Sequence, residues 1–253
     1  MNEQRILITG GAKRIGRRIA ESLARPDRTL IIHYNRSSDE ADELVAALRA
    51  GGATAHAIGQ DLSEASAAVL IDRASEVAGG PLSVLINNAS VYGHDWPTDM
   101  NVEVFDQQMA VNARAPMALA AAFQRQVDDA VDNVIVNFLD QKLWNLHPHY
   151  YSYTTSKAAF LAAMKMMDQA WHPSTRICAI APGHLLPNAD QTDAEYDALA
   201  SENLLQRPID VEGVPRAVQY ILETRSFHGQ VVFVDNGLRF WKEDWSLHNP
   251  ARK

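Results

Sequence analysis

The stretch RILITGGAKRIGRRIAESLA, residues 5 to 24, decides the fold. RILIT (5–9) reads as a short buried strand, and residues 14–25 read as the helix that follows it. Between them Gly10 and Gly11 permit a tight turn, and Gly16 permits close contact between helix and sheet. The start of such a helix offers free N–H groups and the positive end of a dipole, which suits a pyrophosphate. Gly10, Lys13, Arg14, Ile15 and Gly16 are the candidate contacts. Glycines after strands also serve as plain turns, so the weight rests on where this unit sits in the chain.

Six more β-rich runs follow: TLIIH (29–33), ATAHAI (53–58), LSVLIN (82–87), NVIVNFL (133–139), RICAIA (176–181) and QVVFVD (230–235). Helical patterns separate them near 37–50, 62–78, 101–126, 152–171 and 190–223, the last broken around Pro208. That alternation predicts an α/β fold: a doubly wound, Rossmann-type parallel sheet of about seven strands with helices on both faces. No repeat or linker divides residues 1–253, so a single domain is expected, with ligands at the carboxyl ends of the strands.

The net charge of −8 argues against binding to nucleic acid or an anionic membrane. No run approaches the ~20 apolar residues of a membrane span. The first strand begins within five residues, leaving no room for a secretion signal. With a lone cysteine, Cys178, in an apolar run, a cytoplasmic location is expected. Zinc-type spacing is absent, so no metal is expected, and His147 and His149 read as a solvated loop pair.

The second strand ends in HYNRS, residues 33 to 37. An acid at this point would bind the ribose hydroxyls of NAD, but His33, Tyr34 and Asn35 are not acidic. Arg36, Ser37 and Lys13 suit a 2′-phosphate instead, since a guanidinium can pair with it bidentately. NADPH is therefore the expected cofactor.

VNFLDQKLWNLHPHYYSYTTSK (136–157) runs from a strand end through an aromatic loop into a helix. Tyr153 and Lys157 share a helix face at i and i+4, a spacing that neither Tyr150 nor Tyr151 has. An ammonium beside a phenol is expected to lower its pKa and make Tyr153 a usable proton donor, while Tyr150 and Tyr151 read as loop packing.

With TGxxxxxG in front, NNAS (87–90) after the fourth strand and Asn112 in VNARAP, the chain resembles the short-chain dehydrogenase/reductase family from residue 5 to about 240. The resemblance implies that Lys157 also holds the nicotinamide ribose and that Asn112 positions a relay water. It places Asp61 and Leu62 at the adenine, although Asp61 reads equally as a helix cap. It adds Asn88, Ala89, Ser90, Pro182 and Gly183 to the cofactor contacts.

The chain departs from the family where a catalytic serine normally precedes the tyrosine: position 140 is Asp, and only Ser152 is in reach. Reduction of a C=N bond asks for a proton at nitrogen, which a desolvated carboxyl group wired to tyrosine can supply. Asp140, together with TGxxxRIG, NNAS and HYNRS, resembles the pterin-reducing branch, which includes pteridine reductases and bacterial dihydromonapterin reductases. APGHLLPNADQTDAEYDALASENLLQR (181–207) resembles the bacterial dihydromonapterin/dihydrofolate reductase type. By that resemblance, Arg14 and Ser90 touch the cofactor phosphates and the pterin's polar edge. A flat ring over nicotinamide also wants an aromatic lid, with Tyr92 as first candidate and Trp96 and Trp144 behind it.

His184 and Leu185 are candidates for the substrate pocket, although an exposed loop histidine is the plainer reading of His184. Residues 184–207 are expected to act as a substrate lid. Asn236 replaces a family glycine and is expected to accept a left-handed backbone. The tail 238–253 reads as a subunit contact or a frayed end, and small residues on two helices suggest a dimer or tetramer. The leading expectation is reduction of a dihydropterin such as 7,8-dihydromonapterin, with dihydrofolate and dihydrobiopterin as further substrates. The alternatives are an NADPH-dependent carbonyl or 3-oxoacyl reductase and a non-catalytic NADP-sensing protein.

Overall fold

The computed structural model describes residues 4–171, 173–187 and 191–241. Seven strands form one parallel sheet: β1 (Gln4–Ile8), β2 (Arg28–Tyr34), β3 (Thr54–Gly59), β4 (Val84–Asn87), β5 (Asn133–Phe138), β6 (Thr175–Pro182) and β7 (Val231–Val234). Their order is β3-β2-β1-β4-β5-β6-β7. The chain therefore winds outward from β1 to β3, returns to lay β4 on the other side of β1, and winds the opposite way. At that reversal the carboxyl ends of β1 and β4 part to leave a crevice.

Alternating side chains of each strand serve two cores. On one face Ile6, Ile8, Ile32 and Ile86 meet α1 (Arg14–Leu23), α2 (Ser38–Ala50) and α8 (Gly213–Glu223) through Ile19, Leu44 and Val218. On the other, Leu7, Ile31, Leu85 and Ile135 meet α3 (Val69–Val77), α5 (Ala115–Gln124) and α6 (Tyr151–Ala170) through Leu70, Phe123 and Phe160. Each such side chain contributes about 1.5–3 kcal/mol by leaving water. No described helix is long and apolar enough to cross a membrane.

Three expected helices are broken. The stretch expected at 62–78 opens with a 3-10 turn, Ala65–Ala68, before α3. Asp61 accepts the Ser63 N–H at 2.8 Å, so it caps the turn before that 3-10 segment and not a helix. The stretch expected at 101–126 is α4 (Val102–Met109), a π turn (Ala110–Arg114) and α5. Pro116 explains the break: without an N–H it cannot bond the carbonyl of Asn112, so the α ladder is interrupted there. The last stretch splits into α7 (Asp193–Ala200) and α8 around a loop that contains Pro208, as the sequence suggests. Asn236 adopts φ 48, the left-handed conformation expected of it.

The glycine turn is fitted to its surroundings at atomic tolerance. A Cβ on Gly16 would lie 2.2 Å from the Gly10 carbonyl oxygen and 2.8 Å from Asn88 Nδ2. Beneath the turn His33 is fully buried: its Nδ1 accepts the Gly10 N–H at 3.1 Å, and its Nε2 lies 2.9 Å from the Gln60 carbonyl. The first bond fixes the tautomer with its proton on Nε2, so the second is a donation to Gln60.

Gly16→Ala should therefore cost on the order of 2 kcal/mol. It should lower the thermal midpoint by roughly 4–8 °C in a calorimetric scan. Burial pushes the His33 imidazole down to about 4, whereas an unfolded histidine titrates near 6.5. Between those values the unfolded chain binds the extra proton, so stability is present above about 6.5 and lost as pH falls toward about 4. In urea titrations this residue should account for a loss of about 2 kcal/mol between pH 7 and pH 5, and His33→Asn should flatten that slope.

Candidate active site

A cleft of about 870 Å³ opens at the carboxyl ends of the strands. One half is walled by Gly10, Lys13, Arg14, Ile15 and Gly16, by His33 to Ser37 after β2, by Asp61 and Leu62 after β3, and by Asn88, Ala89 and Ser90 after β4. Pro182 and Gly183 close it at the end of β6. No side chain caps α1, so its first N–H groups stay open to an anion. That opening and the Cβ-free cradle of Gly16 fit a dinucleotide pyrophosphate.

Within this half the residues divide by role. Arg14 takes φ 52, a conformation that costs a non-glycine residue roughly 1 kcal/mol. Its guanidinium donates to the Pro187 carbonyl at 2.9 Å, tying the glycine turn to the segment after β6. Lys13 pairs with Glu40 at the surface, a contact an arriving phosphate can displace at little cost. Arg36 is exposed beside Asp61, while Tyr34 and Ser37 are partly covered. His33, expected to contact cofactor, has both ring nitrogens occupied beneath the turn and supports it from below.

The other half holds the candidate catalytic residues. Asp140 closes β5, and its Oδ2 accepts the Tyr153 hydroxyl proton at 2.9 Å while Oδ1 accepts the Lys142 N–H at 2.8 Å. Lys157 is buried; its Nζ donates to the Phe138 carbonyl at 2.8 Å and lies 5.8 Å from the Tyr153 ring centroid. Asn112, in the π turn, is also buried. Its Oδ1 accepts from Ser90 Oγ and the Val91 N–H, and its Nδ2 donates to the Val91 carbonyl and Ser156 Oγ. Those four bonds tie the loop after β4 to α6.

This arrangement reverses the expected effect on Tyr153. Burial and the Asp140 carboxylate raise its phenol well above the ordinary value of 10.0, and the hydrogen bond donated to Asp140 adds to the rise. Lys157 is turned toward a backbone carbonyl, and burial pushes its own amine down to about 8. Tyr153 therefore keeps its proton at neutral pH, as a donor requires.

Several placements differ from the sequence reading. Tyr150 takes φ 56 at the start of α6, lines the cleft and meets Tyr92 edge to face at 6.3 Å. Tyr92 also meets Tyr153 at 6.4 Å and stands exposed over the cleft, as a lid would. Trp96 packs on His149 at 4.4 Å and Trp144 on Phe233 at 4.7 Å, so neither forms the lid. His147 and His149 both line the cleft and are not a solvated pair. His184 faces the cleft beside Leu185 and is not an exposed loop residue.

Other groups take places in the structure that no motif in the sequence gave them. Ser152 is buried and donates its hydroxyl and N–H to Asp95, a buried carboxylate that caps α6 from the loop after β4. Lys142 is buried under the Tyr150 ring with its amine on the His149 carbonyl. Trp241 lines the cleft from the start of the tail; the rest of that tail, 242–253, and lid residues 188–190 lie outside the described residues. No three His, Cys, Asp or Glu side chains among the described residues are grouped to hold a metal.

With this geometry the chain is similar to known proteins along its length. Its fold superposes on the FolM alternative dihydrofolate reductase 1 of Brucella suis in complex with NADP, with a TM-score of 0.90, 34% identity and coverage of 95% of this chain and 97% of that one. Among sequence relatives, a short-chain type dehydrogenase/reductase of Picea abies is 27% identical, over 91% of this chain and 90% of its own length. The chloroplastic NADPH-dependent aldehyde reductase 2 of Arabidopsis thaliana is 25% identical, over 91% and 92%. The short chain dehydrogenase family model matches residues 4–197, and the chain belongs to that family.

Proposed function

We propose that the protein is an NADPH-dependent reductase of dihydropterins, acting on 7,8-dihydromonapterin or a close relative. The observation that carries this reading is the Asp140 carboxylate at the end of β5, bonded to the Tyr153 hydroxyl where a ketone reductase of the family would present a serine. A hydroxyl can donate to a carbonyl oxygen; an ionised carboxylate can only accept. It therefore matches a substrate edge that offers N–H groups, as an aminopyrimidine does. The similarity to the Brucella suis protein, over nearly the whole of both chains, supports the same reading.

When bound, the reduced nicotinamide supplies hydride to the carbon of the C=N bond. Tyr153, its hydroxyl bonded to Asp140, holds the proton destined for the nitrogen, and the raised phenol keeps that proton in place until hydride transfer makes the nitrogen strongly basic. Lys157, now bonded to the Phe138 carbonyl, would hold the ribose of the bound cofactor in this reading. Tyr92 covers the second face of the pterin ring. Arg36, Ser37 and Lys13 hold the 2′-phosphate that selects NADPH.

A specific observation favours a second reading, reduction of carbonyl compounds. Ser90 Oγ lies within hydrogen-bonding reach of the Tyr153 phenol, so a hydroxyl is present beside the proton donor after all.

Steady-state NADPH oxidation with dihydromonapterin, dihydrobiopterin, dihydrofolate and a panel of ketones separates the two. Dihydropterins should be turned over, and Tyr153→Phe should lower kcat by about 10²–10⁴-fold. Turnover confined to the ketones would contradict the proposal.

A further inference from the structure

The lid places a carboxylate in the substrate half of the cleft. Glu202 follows α7, lines the cavity and is half-buried. Its N–H bonds the Leu199 carbonyl at 3.0 Å, which anchors the backbone. Its carboxylate has no ion-pair or hydrogen-bond partner among the described residues. Leaving a partly buried carboxylate unpaired is unfavourable unless the occupant of the cleft supplies donors.

The neighbouring charges do not balance it. His184 stands where it feels both Asp140 and Glu202, yet burial outweighs their pull and holds its imidazole below the ordinary value. Burial likewise pushes His147 down to about 3. Lys142 is committed to the His149 carbonyl and Arg14 to the Pro187 carbonyl. An entering substrate side chain therefore meets uncommitted negative charge and neutral imidazoles.

We propose that Glu202 is a specificity residue of this site, selecting a side chain that is uncharged and donates hydrogen bonds, such as a hydroxylated chain, and rejecting one that carries carboxylates. The inference rests on the dihydropterin reading and sharpens it: a dihydropterin bearing a short polyol fits, and the glutamyl tail of dihydrofolate does not.

The test compares KM and kcat for dihydromonapterin and dihydrofolate in the wild type and in Glu202→Gln, at low and high salt. The wild type should show a KM for dihydrofolate that falls as salt screens the repulsion. Glu202→Gln should lower that KM by about tenfold at low salt with kcat little changed. It should also abolish the salt dependence, leave the KM for NADPH unchanged and raise the KM for dihydromonapterin. Equal KM values for the two substrates, or a Glu202→Gln variant that leaves their ratio unchanged, would overturn the inference while the pterin reading stands. Failure of both substrates to turn over would overturn the reading and the inference together.

Discussion

The seam between β1 and β4 is the constraint on which the rest of the structure depends. Two parallel strands meet there while their following segments leave in opposite directions, which opens a crevice at their carboxyl ends. The seam is clamped by side chains from both strands' ends. Thr9 Oγ1 accepts the N–H groups of Asn88 and Ala89 at 3.0 Å each, and Asn88 Nδ2 returns bonds to the Thr9 and Gly10 carbonyls. With those groups satisfied, the glycine turn can lie close to the loop after β4, and the open N-terminus of α1 faces into the crevice. A phosphate site and a reaction site then share one cleft because a single reversal of winding made it.

The chemistry of that cleft is governed by where protons are held. Lys157 alone would favour a phenolate at Tyr153, but the lysine is buried and bonded to the Phe138 carbonyl, while the neighbour that touches the phenol is a carboxylate. The result is a tyrosine that retains its proton firmly and, as a weaker acid than a free phenol, gives it up only to a strongly basic atom. Asp140 is thus more than a substituted serine. In the proposed function it would change the charge at the reacting centre and with it the kind of substrate edge the site can hold. Asp95 completes the arrangement from beneath by capping α6, so the helix bearing Tyr153 and Lys157 starts at a fixed point.

Much of this was legible in the sequence because it depends on local pattern. Strand and helix alternation gave the sheet, and Gly10, Gly16, Asp140, Tyr153 and Lys157 stood at positions whose chemistry could be argued from spacing. The illegible parts depend on contacts distant in the chain. The rise in the Tyr153 pKa required knowing that the phenol is buried and bonded to Asp140. Glu202, after α7, and Trp241, after β7, reach the cleft from segments far along the chain, and no periodicity announces either. The break at Asn112 was missed although its cause stands in plain view: the helical pattern over 101–126 reads straight through Pro116, which cannot complete the helix bond.

The central claim is that the carboxylate of Asp140 makes this site a reductase of C=N bonds in pterins, and exchanging that side chain tests it most directly. Asp140→Ser should be assayed against one dihydropterin and one ketone, with NADPH binding measured separately by fluorescence. The account predicts unchanged NADPH affinity, a fall in kcat/KM for the dihydropterin of about 10²-fold or more, and a gain for the ketone. Dihydropterin reduction that survives the exchange undiminished would contradict it.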